Sequence, residues 1–278
     1  MSNKIITIIA IQVVVVIYLI VNNWHSVEAQ LKSSNSPNKT ATEEKETSMK
    51  KVKVLFIGNS YTAGNKMTDI LSTLSKLQTQ RKYYLETHTL AVGGATLETH
   101  WQNRNALKTI KSNDWDYIVF QGQSTIMMRR NGAELFDRYL NKFLLQINRH
   151  KTKVILFSTW PRQENNPIYS QSNITPYEML TRIERSYYRI AKKYSTNVVY
   201  TGTPFYKINK AGINTYEGDG SHANKVGSFV TAMAFFKKFM PNTQIDCGRV
   251  NVNIGIEINQ CETIKQILYP VKKVKSSN

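Results

Sequence analysis

Short apolar runs alternate along most of the chain with segments in which apolar residues recur three and four positions apart. The runs predict β-strands at 52–57, 84–92, 117–120, 154–157 and 198–200. The intervening periods predict helices at 67–77, 101–110, 135–147, 179–190 and 226–239. Strands that are separated by helices favour a parallel sheet, because right-handed crossovers place the helices on its two faces. The pattern therefore predicts an α/β fold with a five-stranded parallel sheet.

The first part of the chain has a different pattern. Residues 5–21 are uncharged and mostly apolar, and their length is near the lower limit for crossing a bilayer. We consider an uncleaved transmembrane anchor, with residues 1–4 in the cytoplasm, a signal segment cleaved near Val27-Glu28-Ala29, or a buried helix. An anchor and a signal segment would both place the following residues outside the cytoplasm.

Three further regions follow from composition. Residues 22–50 are poor in apolar residues beyond position 30 and rich in Ser, Thr, Lys and Glu, which predicts a flexible linker. Residues 51–245 contain the predicted strands and helices and form the candidate catalytic domain. Residues 246–278 are a C-terminal extension that ends in a basic tail.

The charge belongs to the folded part of the chain. The sequence has 37 Lys and Arg against 19 Asp and Glu, a formal net charge of +18, of which +17 lies after residue 50. Its 41% hydrophobic content, 13 Gly and two Cys exclude a collagen, a disordered chain and a disulfide-dense miniprotein. No nucleic-acid-binding motif accompanies the positive charge, so we expect no nucleic-acid partner.

Two loops carry candidate chemistry. Ser60 lies between the first strand and a helix, where free N–H groups favour a developing negative charge, although Ser is also a preferred helix cap. Asp219 and His222 lie three residues apart in a Gly-containing loop before the last helix. A serine hydroxyl needs a base, and a histidine base needs a carboxylate that fixes its tautomer. The three side chains predict a nucleophilic hydrolase.

These blocks, Gly58-Asn59-Ser60 after the first strand and Asp219-x-x-His222 near the end, resemble those of the SGNH/GDSL hydrolase superfamily. The resemblance implies a flavodoxin-like, three-layer α/β/α sandwich and a catalytic triad of Ser60, Asp219 and His222. It also implies that no cofactor or metal is needed.

An oxyanion hole is implied by the same resemblance. Its donors would be the amide of Ser60, the amide of Gly94 in the Gly93-Gly94 block, and a side-chain amide after the third strand. The usual Gly-x-Asn-Asp block is replaced here by Gln121-Gly122-Gln123-Ser124. Gln123 is the first candidate for the side-chain donor and Gln121 the second; alternatively, both glutamines only bridge loops.

Other residues of these loops have less specific interpretations. Gly122-Gln123-Ser124 resembles the nucleophile block of some carbohydrate esterases, which would make Ser124 the nucleophile, but the topology disfavours it. Tyr61, His100 and Trp160 are candidates for substrate binding, with packing as the alternative for each. Cys247 and Cys261 are 14 residues apart and would form a disulfide in an exported protein.

The function that the resemblance implies is serine ester hydrolysis through an acyl-enzyme. Export and a basic domain favour the removal of O-acetyl or other short acyl groups from envelope or extracellular carbohydrate by a membrane-anchored or secreted enzyme. Two alternatives stay open. One is a lipase or thioesterase acting on lipid esters, and the other is a non-catalytic carbohydrate-binding or polymer-assembly protein on the same fold.

Overall fold

The computed structural model describes residues 49–79 and 82–269. The segment predicted as an anchor or signal, residues 5–21, and the basic tail after residue 269 lie outside the described residues. No helix in the described ranges combines the length and apolar character that a bilayer crossing requires.

The central sheet is parallel throughout, as the sequence predicts. Its strands are β1 Lys50–Gly58, β2 Tyr83–Ala91, β3 Tyr117–Gln121, β4 Lys153–Ser158 and β5 Asn197–Tyr200. They lie in the order β2-β1-β3-β4-β5. The direction of winding reverses between β1 and β3, and ligands of such sheets bind beyond the carboxyl ends of the strands at this point. The loops that follow β1 and β3 therefore border the expected site.

Helices cover both faces of the sheet. They are α1 Ser60–Ala63, α2 Met67–Lys76, α3 Leu97–Gln102, α4 Asn105–Lys111, α5 Ser124–Met127, α6 Arg130–Leu144, α7 Ile168–Ser172, α8 Pro176–Tyr194, α9 Gly202–Lys210, α10 Lys225–Phe239, α11 Cys247–Ile254 and α12 Ile258–Leu268. The cores formed by α2 and α9–α12 on one face and by α3–α8 on the other make the three-layer α/β/α sandwich.

Strand β1 shows why the sheet is buried on both sides. Val54 and Phe56 belong to the core on one face, and Leu55 and Ile57 belong to the core on the other. Each of the four side chains is at most 1% exposed. An uninterrupted apolar run is typical of such a strand, because alternate side chains enter opposite cores.

One predicted helix differs from the structure, and the C-terminal extension adds two helices to the core. The predicted helix at 101–110 is two helices, α3 and α4, separated at Arg104, whose φ of 61° is left-handed. The C-terminal extension forms α11 and α12, which contribute Val250 and Ile264 to the same core as the preceding residues. The predicted disulfide between Cys247 and Cys261 is confirmed and joins these two helices.

Candidate active site

A tight turn after β1 presents Ser60 as the first residue of α1. Asn59 caps this helix, and its side-chain oxygen accepts a hydrogen bond from the Tyr61 amide at 3.0 Å. A Cβ at Gly58 would lie 2.3 Å from the Thr62 hydroxyl and 2.5 Å from a side-chain oxygen of Gln121. Glycine is therefore required before the turn by the close approach of its neighbours.

Gln121, at the end of β3, forms buried hydrogen bonds with the turn that carries Ser60. Its Oε1 accepts hydrogen bonds from the Asn59 amide at 2.8 Å and from the Thr62 hydroxyl at 3.0 Å. Its Nε2 donates to the carbonyl oxygen of Gly122 at 2.6 Å, and the residue is 1% exposed. These bonds make Gln121 a support of the nucleophile turn, and they correct its interpretation as a second candidate for the oxyanion donor.

The structure brings the three predicted triad residues together. Nε2 of His222 lies 2.8 Å from the Ser60 hydroxyl oxygen, and Nδ1 of His222 lies 2.5 Å from Oδ2 of Asp219. The other carboxylate oxygen of Asp219 accepts from the amides of Ser221 and His222, both at 2.9 Å. With Nδ1 donating to the carboxylate, Nε2 is left to accept the serine proton.

Asp219 is held in its charged form. Partial burial opposes its ionisation, but the hydrogen bonds from the His222 ring and from two backbone N–H groups outweigh this and lower the pKa of Asp219 to about 2. A carboxylate at this position both selects the tautomer of His222 and stabilises the ring when it becomes protonated.

An aromatic stack supports the loop that carries Asp219 and His222. The Trp160 ring lies parallel to Tyr61 at 4.7 Å and to Phe205 at 4.4 Å between centroids. Its Nε1 donates to the Ser221 carbonyl oxygen at 3.0 Å. Trp160 is fully buried, so the structure corrects its interpretation as a substrate contact: it is a packed residue that fixes the loop.

Tyr61 lies between this stack and the triad. The edge of its ring faces His222 at 5.3 Å between centroids, and its hydroxyl lies 2.8 Å from the Ser221 hydroxyl. The residue is only 7% exposed. Its predicted role in substrate binding is therefore limited to shaping the wall beside His222.

His100 is also a buried supporting residue. It is 1% exposed, and its Nε2 donates to the Gly58 carbonyl oxygen at 2.7 Å. Burial lowers the pKa of His100, although the hydrogen bond to Gly58 opposes this effect. The prediction that His100 contacts substrate is corrected: the ring lies beneath the nucleophile turn.

Backbone donors are available beside Ser60. Gly94 has a φ of +68° in a turn closed by a 3.0 Å hydrogen bond from Ala95 to Val92. The Asn59 side chain donates to the Ala95 carbonyl oxygen at 3.2 Å and so links this turn to the nucleophile turn. Within residues 49–79 and 82–269, no acceptor pairs with the amide of Ser60 or of Gly94.

The side chain of Gln123 is oriented by its oxygen. Its Oε1 accepts from the Ile126 amide at 2.8 Å and from the Thr125 hydroxyl at 2.5 Å, so that Gln123 caps α5. Its Nε2 has no hydrogen-bond acceptor among the described residues. An amide that is fixed through its oxygen keeps its N–H₂ group available to donate to a ligand.

Ser124, the alternative nucleophile, has a different environment. It is fully buried, and its hydroxyl donates to the Tyr61 hydroxyl at 3.4 Å. A serine nucleophile needs an imidazole base, and the His222 ring is hydrogen-bonded to Ser60. The geometry therefore favours Ser60 as the nucleophile.

The surroundings of the triad contain no preformed metal site. In the described part of the chain, no three His, Cys, Asp or Glu side chains are grouped so that they could bind a metal ion.

A cavity of about 600 Å³ lies at the β5 edge between α9, α10 and α12, and none of the triad residues lines it. A much smaller space, about 10 Å³, adjoins Gln123 and Met127. Neither cavity has Ser60, Asp219 or His222 in its lining.

Comparisons with known proteins agree with the topology. No protein-family model matches the sequence, and no curated protein matches it. Among solved structures, a candidate SGNH hydrolase from Slackia heliotrinireducens is 22% identical with a TM-score of 0.57, covering 68% of this chain and 100% of that one. A DUF4886 family protein from Bacteroides uniformis is 18% identical with a TM-score of 0.62, covering 80% and 96%.

A third similar structure is that of an acetylxylan esterase from Geobacillus stearothermophilus. It is 14% identical with a TM-score of 0.50, and the match covers 68% of this chain and 94% of that one. Likenesses at identities of 14–22% establish a shared fold. The chemistry of this chain has to be argued from its own residues.

Proposed function

We propose that this chain, which has the fold of the SGNH/GDSL hydrolases, is a serine ester hydrolase that acts through an acyl-enzyme. The observation that carries the proposal is the continuous hydrogen-bonded series from the Ser60 hydroxyl through His222 to Asp219, with distances of 2.8 and 2.5 Å. A nucleophile, a base and a group that orients the base are the minimum that this chemistry requires.

In the acylation step, Nε2 of His222 removes the proton from the Ser60 hydroxyl while the serine oxygen bonds to the ester carbonyl carbon. The carbonyl π pair moves to oxygen and forms the tetrahedral oxyanion. When that pair returns, the bond to the leaving oxygen breaks, and the protonated His222 transfers its proton to the departing alcohol. Water then repeats the sequence on the acyl-serine, releases the acid and restores Ser60.

Three donors are proposed for the oxyanion: the amides of Ser60 and Gly94 and the side-chain Nε2 of Gln123. Each is free of other acceptors in the described part of the chain, and the Asn59–Ala95 bond links the two turns that carry the backbone donors. Donors of this type are worth about 3–4 kcal/mol each in the transition state of other hydrolases.

The substrate class proposed is a carbohydrate with O-acetyl or other short acyl groups. Neither of the cavities described above is lined by a triad residue, so neither provides a tunnel for a fatty acyl chain, which favours a short acyl group. After residue 50 the chain has 32 basic and 15 acidic side chains, and this net positive charge would attract anionic polymers.

An extracytoplasmic location is also proposed, through an anchor or signal at residues 5–21. Support comes from the uncharged apolar run in the sequence and from the disulfide between Cys247 and Cys261, since disulfides persist mainly in oxidising compartments. Separating the cells into membrane, soluble and culture-medium fractions and probing each with an antibody to the folded domain tests this proposal. Recovery of the intact protein in the cytosolic fraction would contradict it.

The test of activity is active-site labelling combined with ester hydrolysis. The purified protein is treated with a fluorophosphonate probe, and release of 4-nitrophenol from acetyl and octanoyl esters is measured. We expect Ser60→Ala to lose the label and at least about 10⁴-fold in kcat/KM, since a serine nucleophile has no substitute in this mechanism.

Ser124→Ala is the matched control, because it removes the alternative nucleophile and should keep both the label and the hydrolysis. Equal labelling of wild type and Ser60→Ala, or no labelling of either, would contradict the proposal. Faster release from the octanoyl than from the acetyl ester would favour the lipase or thioesterase alternative.

A further inference from the structure

An arginine borders the triad without a role in the mechanism above. Arg162 follows β4 on the segment that contains Trp160, and one of its guanidinium nitrogens donates to the Tyr61 hydroxyl. The guanidinium carbon lies 5.5 Å from the centre of the Tyr61 ring, whose edge faces His222. A single aromatic side chain therefore separates this positive charge from the catalytic base.

The backbone on both sides of Arg162 is fixed to the elements of the site. The Tyr169 hydroxyl donates to the Arg162 carbonyl oxygen at 2.5 Å, and the Tyr216 hydroxyl donates to the Pro161 carbonyl oxygen at 2.9 Å. The Gln163 amide donates to the Gly220 carbonyl oxygen at 2.8 Å, within the loop that carries Asp219 and His222. The arginine is thus positioned before any ligand binds.

The acidic side chains in the loops around Arg162 bond to other groups. The acids in the adjoining loops have other partners: Glu164 pairs with Lys210 at 2.8 Å, and Asp219 bonds to His222. Glu217 accepts from the Asn65 side chain at 3.1 Å. Among the residues that the structure describes, no carboxylate forms an ion pair with Arg162.

We infer that Arg162 is a specificity residue that binds an anionic group, a carboxylate or a phosphate, carried by the substrate close to the scissile ester. The inference deepens the proposed esterase function and rests on it. A guanidinium has five N–H donors in a fork that matches either anion, and the Tyr61 hydroxyl occupies only one side of it. Because the side chain is only partly buried, the remaining donors can face a ligand at the surface.

This placement gives specificity by charge. A half-buried guanidinium with no carboxylate partner among the described residues gains an ion pair, and the stronger hydrogen bonds that go with it, only from an anionic substrate. A neutral sugar ester has no anionic group that could pair with Arg162. The substrate class indicated is therefore an acylated uronic acid or an acylated sugar phosphate, in preference to an acylated neutral sugar.

The experiment compares three mono-acetylated sugars that differ in one substituent: a methyl glucoside, the corresponding glucuronide and the corresponding 6-phosphate. Their affinities are measured by calorimetry with the Ser60→Ala variant, so that binding is scored without turnover. Their kcat/KM values are measured in parallel with Ser60 present. The glucuronide and phosphate arms distinguish the two sources of negative charge.

We expect at least one anionic ester to bind about tenfold or more tightly than the neutral one, which corresponds to one charge-assisted hydrogen-bonded pair. Arg162→Gln should reduce that ratio to near one, mainly through KM, and Arg162→Lys should keep part of it. Arg185→Gln removes the same charge from an exposed position on α8 and should leave the ratio within about twofold.

An equal loss of affinity for neutral and anionic esters in Arg162→Gln would overturn the inference, since it would show that the arginine only supports Tyr61. Equal binding of the three esters by the protein with Arg162 intact would overturn it as well. Charge-selective binding that depends on Arg162, without hydrolysis of any ester, would support the inference and refute the proposed esterase activity.

Discussion

The two loops that supply the triad are stabilised in different ways. The turn that carries Ser60 is built on buried polar groups, with Asn59 2% exposed and Gln121 1% exposed. In the loop that carries the acid and base, the side chains of Asp219 and His222 are 49% and 41% exposed. That loop is held by hydrogen bonds from the Ser221 and His222 amides to the Asp219 carboxylate and by a hydrogen bond from the stacked Trp160 ring to the Ser221 carbonyl oxygen.

Because the two loops are stabilised differently, we expect mutations in them to have different effects. A buried donor that loses its acceptor costs the folded state its full desolvation penalty, so changes under the nucleophile turn should lower stability together with activity. A half-exposed side chain is rehydrated when its partner is removed. Changes in the acid–base loop should therefore lower the rate much more than the stability.

The largest expected effect is on the rate and comes from Asp219→Asn. The neutral amide cannot stabilise the protonated His222 ring and favours the wrong tautomer, so kcat should fall by about 10³–10⁴-fold. The melting temperature should fall by less than in Gln121→Leu, because Asn keeps an acceptor for the Ser221 and His222 amides and loses only the partly exposed charge that the lowered pKa of Asp219 favours. Kinetics on 4-nitrophenyl acetate and thermal melts measure the two quantities.

Asp246→Asn serves as its control, since this exposed aspartate caps α11 and Asn caps a helix equally well. It should alter neither the rate nor the melting temperature. A large drop in melting temperature for Asp219→Asn would break the proposed contrast between the two loops.

The next largest effect is on stability and comes from Gln121→Leu. The Asn59 amide and the Thr62 hydroxyl would both lose their acceptor in a buried environment. The free energy of unfolding should fall by about 2–5 kcal/mol, since each unsatisfied group costs about 1–3 kcal/mol. Urea unfolding measures the change, and kcat should fall with it because the turn that orients Ser60 loosens.

Gln171→Leu, at an exposed position of α7, is the matched substitution and should stay within about 0.5 kcal/mol of wild type. If Gln121→Leu were as stable as Gln171→Leu, the buried bonds under the turn would not be what maintains it.

The smallest effect concerns pH and comes from His100→Gln. Burial lowers the pKa of His100, so the folded state prefers the neutral ring. Below the ordinary histidine pKa of about 6.5, the unfolded chain binds a proton that the folded chain does not. The stability contributed by His100 is therefore complete above that pH and is lost as the pH falls through the lowered pKa of the folded state.

Melting temperatures between pH 7.5 and pH 5 measure this effect. The fall on acidification should be smaller in His100→Gln than in wild type, while His150→Gln, which changes an exposed ring, should follow wild type. A wild-type pH dependence that persists unchanged in His100→Gln would assign it to another group and remove His100 from the support of the turn.

Local patterns were sufficient to predict several features of the molecule. The five strands follow from apolar runs such as 52–57, because a strand buried on both faces needs apolar residues at every position. Asp219 and His222 were recognisable because a loop spacing of three residues brings a carboxylate to an imidazole without help from distant residues. The order of the strands then placed Ser60 at the same edge of the sheet.

Other features depend on contacts between distant residues. Gln121 and Gln123 have the same side chain two positions apart, yet one enters the buried space below Asn59 and the other caps α5. The left-handed backbone conformation at Arg104 separates α3 from α4, and the spacing of apolar residues does not predict it. Nothing in the local sequence around these residues distinguishes the two outcomes.

The sequence by itself determined the order of strands and helices along the chain and the class of the sheet, since both follow from periodicity, and its resemblance to the SGNH/GDSL hydrolases singled out Ser60, Asp219 and His222 as the candidate triad. Only the tertiary structure decided that Trp160 and His100 are buried supports and that Arg162 has no acidic partner among the described residues. Burial and charge pairing depend on which distant residues meet across the sheet edge. That information appears only when the chain has folded.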